Sequence, residues 1–254
     1  MRKIALITGG SSGMGAATAL ALAERGVHSI VTFNKNEAGA LKLAAEVKQK
    51  GAKAVPLFLD VGRSETFAGF RTSVASVLEN EWHSKTFDYL VNNAGFGKMS
   101  MLEDTTEELF DEFMRVLLKG PYFLTQALLP LISDGGAIVN VASNSAMQSG
   151  LTPGYSAYAS MKGGLIVLTQ YMAKEFSARG IRVNAVSPGS TRTGMIPDQV
   201  LEQYPDVIAS LIEKTAFNRL GEPRDIGSAI AALLSDEFRW ATAQNIEVSG
   251  GFRL

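Results

Sequence analysis

"KIALITGGSSGMG", residues 3 to 15, decides the fold. The first half is a short apolar run. The second half is a glycine-rich turn that opens a helical pattern reaching residue 25. Glycines at such a turn let the backbone bend sharply and come close to a ligand without Cβ clashes. The helix N-terminus behind them offers unpaired N–H groups and the positive end of its dipole, which suits a pyrophosphate. The spacing is Gly9-x3-Gly13-x-Gly15, not the G-x-G-x-x-G of the common dinucleotide fingerprint. Position therefore carries the reading: strand before, helix after, at the start of a βαβ unit.

The same rhythm continues outward along the chain. Strand-like runs are expected at 3–8, 29–33, 53–59, 87–93, 136–142, 181–187 and 244–249. They are continuously apolar, as strands buried on both faces of a parallel sheet are. Helical patterns fill 13–25, 37–50, 64–80, 106–132, 156–179 and 223–235. Thr105 or Thr106 can cap the fourth, and Gly26, Gly51 and Gly180 sit where a helix ends in a left-handed residue. Strand–helix alternation predicts an α/β fold, a single doubly wound Rossmann-type domain over 1–254 with a seven-stranded parallel sheet flanked by helices. The stretch 188–222 breaks the rhythm. Its turn-rich beginning and short helical run make about 190–215 either a substrate lid over the crevice or a surface insertion.

Composition narrows the function classes. Hydrophobic residues make up 46% and charged residues 19%, enough for a core without covalent staples. With no cysteine, disulfides and thiolate metal sites are excluded. The two histidines, His28 and His83, lack ligand-like spacing and are expected at the surface or in loops, so no metal is expected. A net charge of −1 gives no support to nucleic-acid or anionic-membrane binding. "MRKIALITGG" holds too short an apolar run for a secretion signal or a membrane span, so a soluble, cytoplasmic protein is expected.

Two further places bear on chemistry. The second strand ends in "VTFNKNE", where Phe33 stands in place of the acid that would hold a ribose 2′-hydroxyl. Asn34, Lys35 and Asn36 could instead meet a 2′-phosphate, which favours NADP(H) while leaving NAD(H) possible. In "YSAYASMK" (155–162), Tyr158 and Lys162 are four apart on one helix face, whereas Tyr155 faces Ala159. A nearby ammonium lowers the pKa of a phenol toward the working range.

Taken in order, "TGGSSGMG" (8–15), "NNAG" (92–95), Ser143, "YASMK" (158–162) and "SPG" followed by Thr193 resemble the short-chain dehydrogenases/reductases, over essentially the whole length. The resemblance, which extends to 3-oxoacyl reductase-like members, implies hydride transfer between nicotinamide and a carbonyl or secondary alcohol. It implies that Tyr158 is the acid/base, that Lys162 lowers its pKa and binds the nicotinamide ribose, and that Ser143 holds the substrate oxygen. Implied cofactor contacts are Gly9, Ser11, Ser12, Gly13, Met14 and Gly15 in the turn, with Asn34 and Lys35 beyond the second strand. Asp60 and Val61 match the adenine side. Asn92, Asn93, Ala94 and Gly95 match the next segment, and Pro188, Gly189, Thr191 and Thr193 the nicotinamide turn. A homotetramer or homodimer is implied as well, pairing helices 106–132 and 156–179, with "SGGFRL" reaching a neighbour or the active site.

Two positions depart from the family pattern. Leu117 stands where an Asn usually supports a helical irregularity and a relay water, so a slower proton relay is expected, with Asn144 a conceivable substitute. Ala243 stands where the family commonly has Gly. Phe96, Met99, Met101, Met147, Tyr155, Met195 and Ile196 form an apolar candidate pocket, of which Phe96, Met147, Tyr155 and Met195 are the principal members. Such a pocket suits a small alkyl or aryl carbonyl. Arg179 is the candidate cation for a carrier-bound substrate, and Asp134 opposes it. Two other readings stay open: a catalytically weak dinucleotide-binding sensor or structural subunit, and an NAD-dependent sugar or polyol dehydrogenase.

Overall fold

The computed structural model describes residues 3–193 and 202–254. Seven strands form one parallel sheet in the order β3-β2-β1-β4-β5-β6-β7. They are β1 (Ile4–Ile7), β2 (His28–Phe33), β3 (Ala54–Phe58), β4 (Phe87–Asn92), β5 (Ile132–Val141), β6 (Arg182–Pro188) and β7 (Asn245–Val248). The chain winds outward one way from β1 and the other way from β4. A crevice opens at that reversal, beyond the carboxyl ends of the strands.

Alternation along the strands divides the core into two layers. Ala5 and Ile7 of β1 face one side, with Leu22 of α1 (Gly13–Ala23), Leu43 and Val47 of α2 (Glu37–Gln49) and Ile230 of the C-terminal helix (Pro223–Leu234). Ile4 and Leu6 face the other, with Phe70, Val74 and Leu78 of α3 (Phe67–Trp82) and residues of the helices that follow β4 and β5. Each fully buried Leu or Ile contributes about 1.5–3 kcal/mol.

All seven expected strands are present, and the expected helix ends hold at several points. Thr106, not Thr105, caps α4 (Glu107–Met114), its side chain accepting from the Leu109 N–H. Gly26, Gly51 and Gly180 have φ of 75°, 80° and 64°. The expected helix 106–132, however, is four pieces, the last of them a 3-10 turn, Leu129–Leu131. Between α4 and α5 (Gly120–Leu128) lies a π-helical turn, Arg115–Lys119. Pro121 accounts for it: the ring has no N–H and in an α-helix would clash with the carbonyl of Leu117. The wider turn closes instead through the Gly120 N–H and Arg115 carbonyl. A side chain on Gly120 would lie 2.4 Å from the Val61 carbonyl oxygen, so only glycine fits there. The irregularity thus persists with leucine at 117.

β5 begins at Ile132, earlier than expected, because Phe87 pairs with Ile132 and Tyr89 with Ala137, with a register shift between them. After β5 come α6 (Ser156–Glu175), α7 (Pro205–Glu213) and α8 (Pro223–Leu234). His28 is not at the surface. It is buried in β2, its Nδ1 accepts the Lys53 N–H at 2.9 Å, and its ring stacks on Trp82. Among the described residues no helix is long and apolar enough to cross a membrane.

Candidate active site

Except for "YASMK", which lies in α6, the motifs named above fall just past the carboxyl ends of strands. Gly9 follows β1, Asn34 β2, Asp60 β3, Asn93 β4, Ser143 β5 and Gly189 β6. Parallel pairing therefore gathers residues far apart in sequence onto one edge.

The larger cleft there has a volume of about 790 Å³. Gly9, Ser11, Ser12, Gly13 and Met14 line it, as do Asn34, Lys35, Asp60, Val61, Asn93, Ala94, Gly95 and Thr193. Gly15 lies behind the turn, where a Cβ would come within 2.4 Å of the Gly9 carbonyl oxygen, so the turn closes only on glycine. A Cβ on Gly13 would meet nothing but Thr193, at 3.7 Å, so the start of α1 looks into open cleft. This arrangement fits a dinucleotide pyrophosphate.

Some expected contacts turn out to be supports. Asn93 Nδ2 donates to the carbonyls of Thr8 (2.8 Å) and Gly9 (3.2 Å), pinning the turn from below. Asn92 does not line the cleft at all; its amide points into the core and donates to Asn140 and Thr125. Asn36 caps α2 through the Gly39 N–H and donates to the Ser11 carbonyl. Asp60 accepts from the Gly62 N–H at 2.9 Å. Arg63 and Arg115 also line this cleft. Sequence reasoning missed both, since neither belongs to a spaced motif.

Ser143, Tyr158 and Lys162 come together beside it, at 8%, 7% and 5% exposure. Ser143 Oγ donates to Ser145 Oγ (3.1 Å) and accepts the Ser145 N–H (3.2 Å). Tyr158 sits edge-on to Phe113 and Tyr155, with ring centres 6.0 Å apart in each pair. Burial pushes its phenol up to about 12, with a hydrogen bond to Ser143 pulling the other way. Burial pulls the Lys162 ammonium down to about 8. Its Nζ donates to the Val141 carbonyl at 2.6 Å and lies 5.9 Å from the tyrosine ring centre, so desolvation dominates.

A smaller cavity of about 180 Å³ adjoins this group, lined by Ser143, Asn144, Tyr155, Tyr158, Pro188, Gly189, Thr191 and Thr193. Leu211 of α7 and Phe252 near the C-terminus also face it, and Met14 and Thr193 are shared with the larger cleft. The residues expected to form a pocket are placed apart. Tyr155 is a wall. Phe96 lines the larger cleft, stacked on Phe113 at 4.9 Å. Met147 turns away, its Sδ 3.4 Å from Asn245 Nδ2 of β7. Met195 and Ile196 lie outside the described residues. Leu211 and Phe252 were missed because a single apolar residue in a short helix or tail has no sequence signature. Arg179 is not at the mouth: it pairs with Asp134 (2.7 Å) and caps the Leu129 carbonyl beside the start of β5, at the opposite edge of the sheet.

Leu117 is 1% exposed and packs with Phe113, Ala157, Tyr158 and Met161. Ala243 has a φ of 60°, a left-handed value that explains the fitness of glycine at this place.

The sequence profile described as enoyl-(acyl carrier protein) reductase matches residues 9–253. The 3-oxoacyl-[acyl-carrier-protein] reductase of Staphylococcus epidermidis is 33% identical, covering 99% of each chain. Versicolorin reductase 1 of Aspergillus parasiticus is 31% identical over 98% of this chain and 95% of its own length. The crystal structure of the angucycline C-6 ketoreductase LanV with bound NADP superposes with a TM-score of 0.92, at 32% identity, over 99% of this chain and 95% of that one. With the glycine turn, the doubly wound sheet and the Ser–Tyr–Lys group in place, the chain belongs to the short-chain dehydrogenase/reductase family.

Proposed function

We propose that this chain is an NADP(H)-dependent ketoreductase acting on an apolar, ring-bearing ketone, with Tyr158 as proton donor. The observation that carries this reading is the buried Ser143–Tyr158–Lys162 group, with Ser143 and Tyr158 lining the cavity that shares Met14 and Thr193 with the larger cleft. When bound, the nicotinamide supplies the hydride. The glycine turn, Asp60, Ala94, Gly95 and Thr193 would hold the cofactor, and Lys35 with Asn34 would meet its 2′-phosphate. Ser143 presents its hydroxyl to the ketone oxygen. Tyr158 gives its proton to that oxygen as negative charge develops there. Lys162 stabilises the phenolate left behind, and Tyr155, Leu211 and Phe252 keep water out.

A phenol that burial pushes up to about 12 is neutral at physiological pH, the form that gives a proton to a ketone oxygen. The relatives named as reductases and the NADP in the LanV structure support the same assignment.

The whole chain works as one domain, with the turn 188–193 and α7 forming the described part of the lid. It assembles as a homotetramer or homodimer through α4, α5 and α6, where Phe110, Met114, Tyr122, Phe123, Val167 and Tyr171 are exposed. The test is cofactor consumption with single-ring and fused-ring ketones, quinones and a 3-oxoacyl thioester. The reading expects NADPH to outperform NADH and ring ketones to lead. A preference for NADH, or turnover confined to the thioester, contradicts it.

A further inference from the structure

The loop that joins Ser143 to Tyr155 does not stand alone. Three side chains from β7 and the tail hold it from beneath. Asn245 Nδ2 contacts Met147 Sδ at 3.4 Å. Glu247 accepts from Ser149 Oγ, with both carboxylate oxygens at 3.1 Å. Arg253 Nη1 donates to the carbonyls of Leu151 (2.7 Å) and Ser149 (3.4 Å).

The tail is also stitched to the base of the lid helix. Thr215 and Phe252 form an antiparallel bridge, and the Arg253 N–H donates to the Lys214 carbonyl at 2.7 Å. The N–H groups of Ala216 and Phe217 donate to the carbonyls of Gly251 and Gly250, at 3.2 Å each. Gly250, Gly251 and Arg253 all have positive φ, 65°, 73° and 54°. Such winding is costly for arginine and persists only where the surroundings over-determine it. It turns the Phe252 ring inward, to 5% exposure, into the cavity shared by Ser143, Tyr158 and Leu211.

We propose that the C-terminal tail is a built part of the substrate site: Phe252 is the wall that sets which ring systems fit, and Arg253 is a positioning residue that ties the Ser143 loop to the lid helix. The chain supplies this wall to its own site. The inference rests on the ketoreductase reading for its substrate, but not for its geometry.

Two arms test it. In the first, 1-tetralone and a tricyclic homologue are compared as substrates of wild type, Phe252→Leu and Phe252→Ala. Opening the wall shifts the ratio of kcat/KM toward the tricyclic ketone by roughly tenfold or more in Phe252→Ala. NADPH affinity stays unchanged, and Phe252→Leu falls between. Equal losses on both ketones would overturn the wall assignment.

In the second arm, amide hydrogen exchange is followed at Ala146, Met147 and Gly150, whose N–H groups bond within the loop. Arg253→Ala speeds exchange there by roughly tenfold while the β4 core amides keep wild-type protection, and Arg253→Lys recovers part of it. KM for the ketone rises more than kcat falls. Unchanged loop exchange would overturn the positioning role. Should wild type reduce no ketone, the ketoreductase reading fails, and the exchange arm alone still decides for or against the tail.

Discussion

Replacing Lys162 with methionine isolates the cost of burying a charge. Burial pulls this ammonium down to about 8 from the 10.5 of a free lysine. Each pH unit of that gap is about 1.4 kcal/mol, so the penalty is about 3 kcal/mol. Below pH 8 both folded and unfolded chains hold the proton, and the penalty is felt in full. Between 8 and 10.5 the folded chain has released it while the unfolded chain has not, so wild-type stability rises with pH across that window. The methionine variant has nothing to release. Its stability relative to wild type therefore declines by about 3 kcal/mol between roughly pH 7 and pH 10. Loss of the hydrogen bond to the Val141 carbonyl moves the whole curve but not its slope. Tyr158, held up at about 12, destabilises the fold as pH rises above 10, but equally in both chains, so it cancels. Urea unfolding of the cofactor-free protein at stepped pH, followed by circular dichroism, measures the difference. A gap that stays flat across the window, or widens, refutes the reasoning.

Other substitutions test separate parts of the account. Ala243→Gly relieves a left-handed residue and raises stability by about 1 kcal/mol in thermal melts, part of the gain being lost to the freer unfolded chain. Lys35→Ala raises KM for NADPH by roughly tenfold and leaves NADH unaffected, an exposed lysine being worth less than a buried one. Leu117→Asn costs about 2–4 kcal/mol of stability, because an amide replaces packed leucine against Tyr158. It should nevertheless raise kcat and move its pH profile, if proton supply limits the wild type; an unchanged rate and profile would discard the idea.

The fold was legible because each strand announces itself as an apolar run and several helix ends carry a glycine or threonine signal. Periodicity cannot see Pro121 widening a helix, since the apolar pattern of α4 and α5 runs straight through the π turn. It likewise cannot tell that His28, an isolated polar residue, finds its partner in Lys53, just before the neighbouring strand β3. In the site, residues with fixed spacing were readable: the glycine turn, Ser143, Tyr158 and Lys162. What stayed hidden depends on where side chains turn. Asn92 and Asn93 are adjacent, yet one faces the core and the other braces the turn. Met147 and Phe252 exchange the roles that composition would assign, because the loop's methionine packs downward and the tail curls inward.

The most direct test of the central claim is one comparison, wild type against Tyr158→Phe, in NADPH-dependent reduction of a ring ketone with cofactor binding measured alongside. The account predicts that the variant binds NADPH as tightly as wild type and loses about 10²–10⁴-fold in kcat, the share of a positioned proton donor. A variant that turns over at the wild-type rate would contradict it.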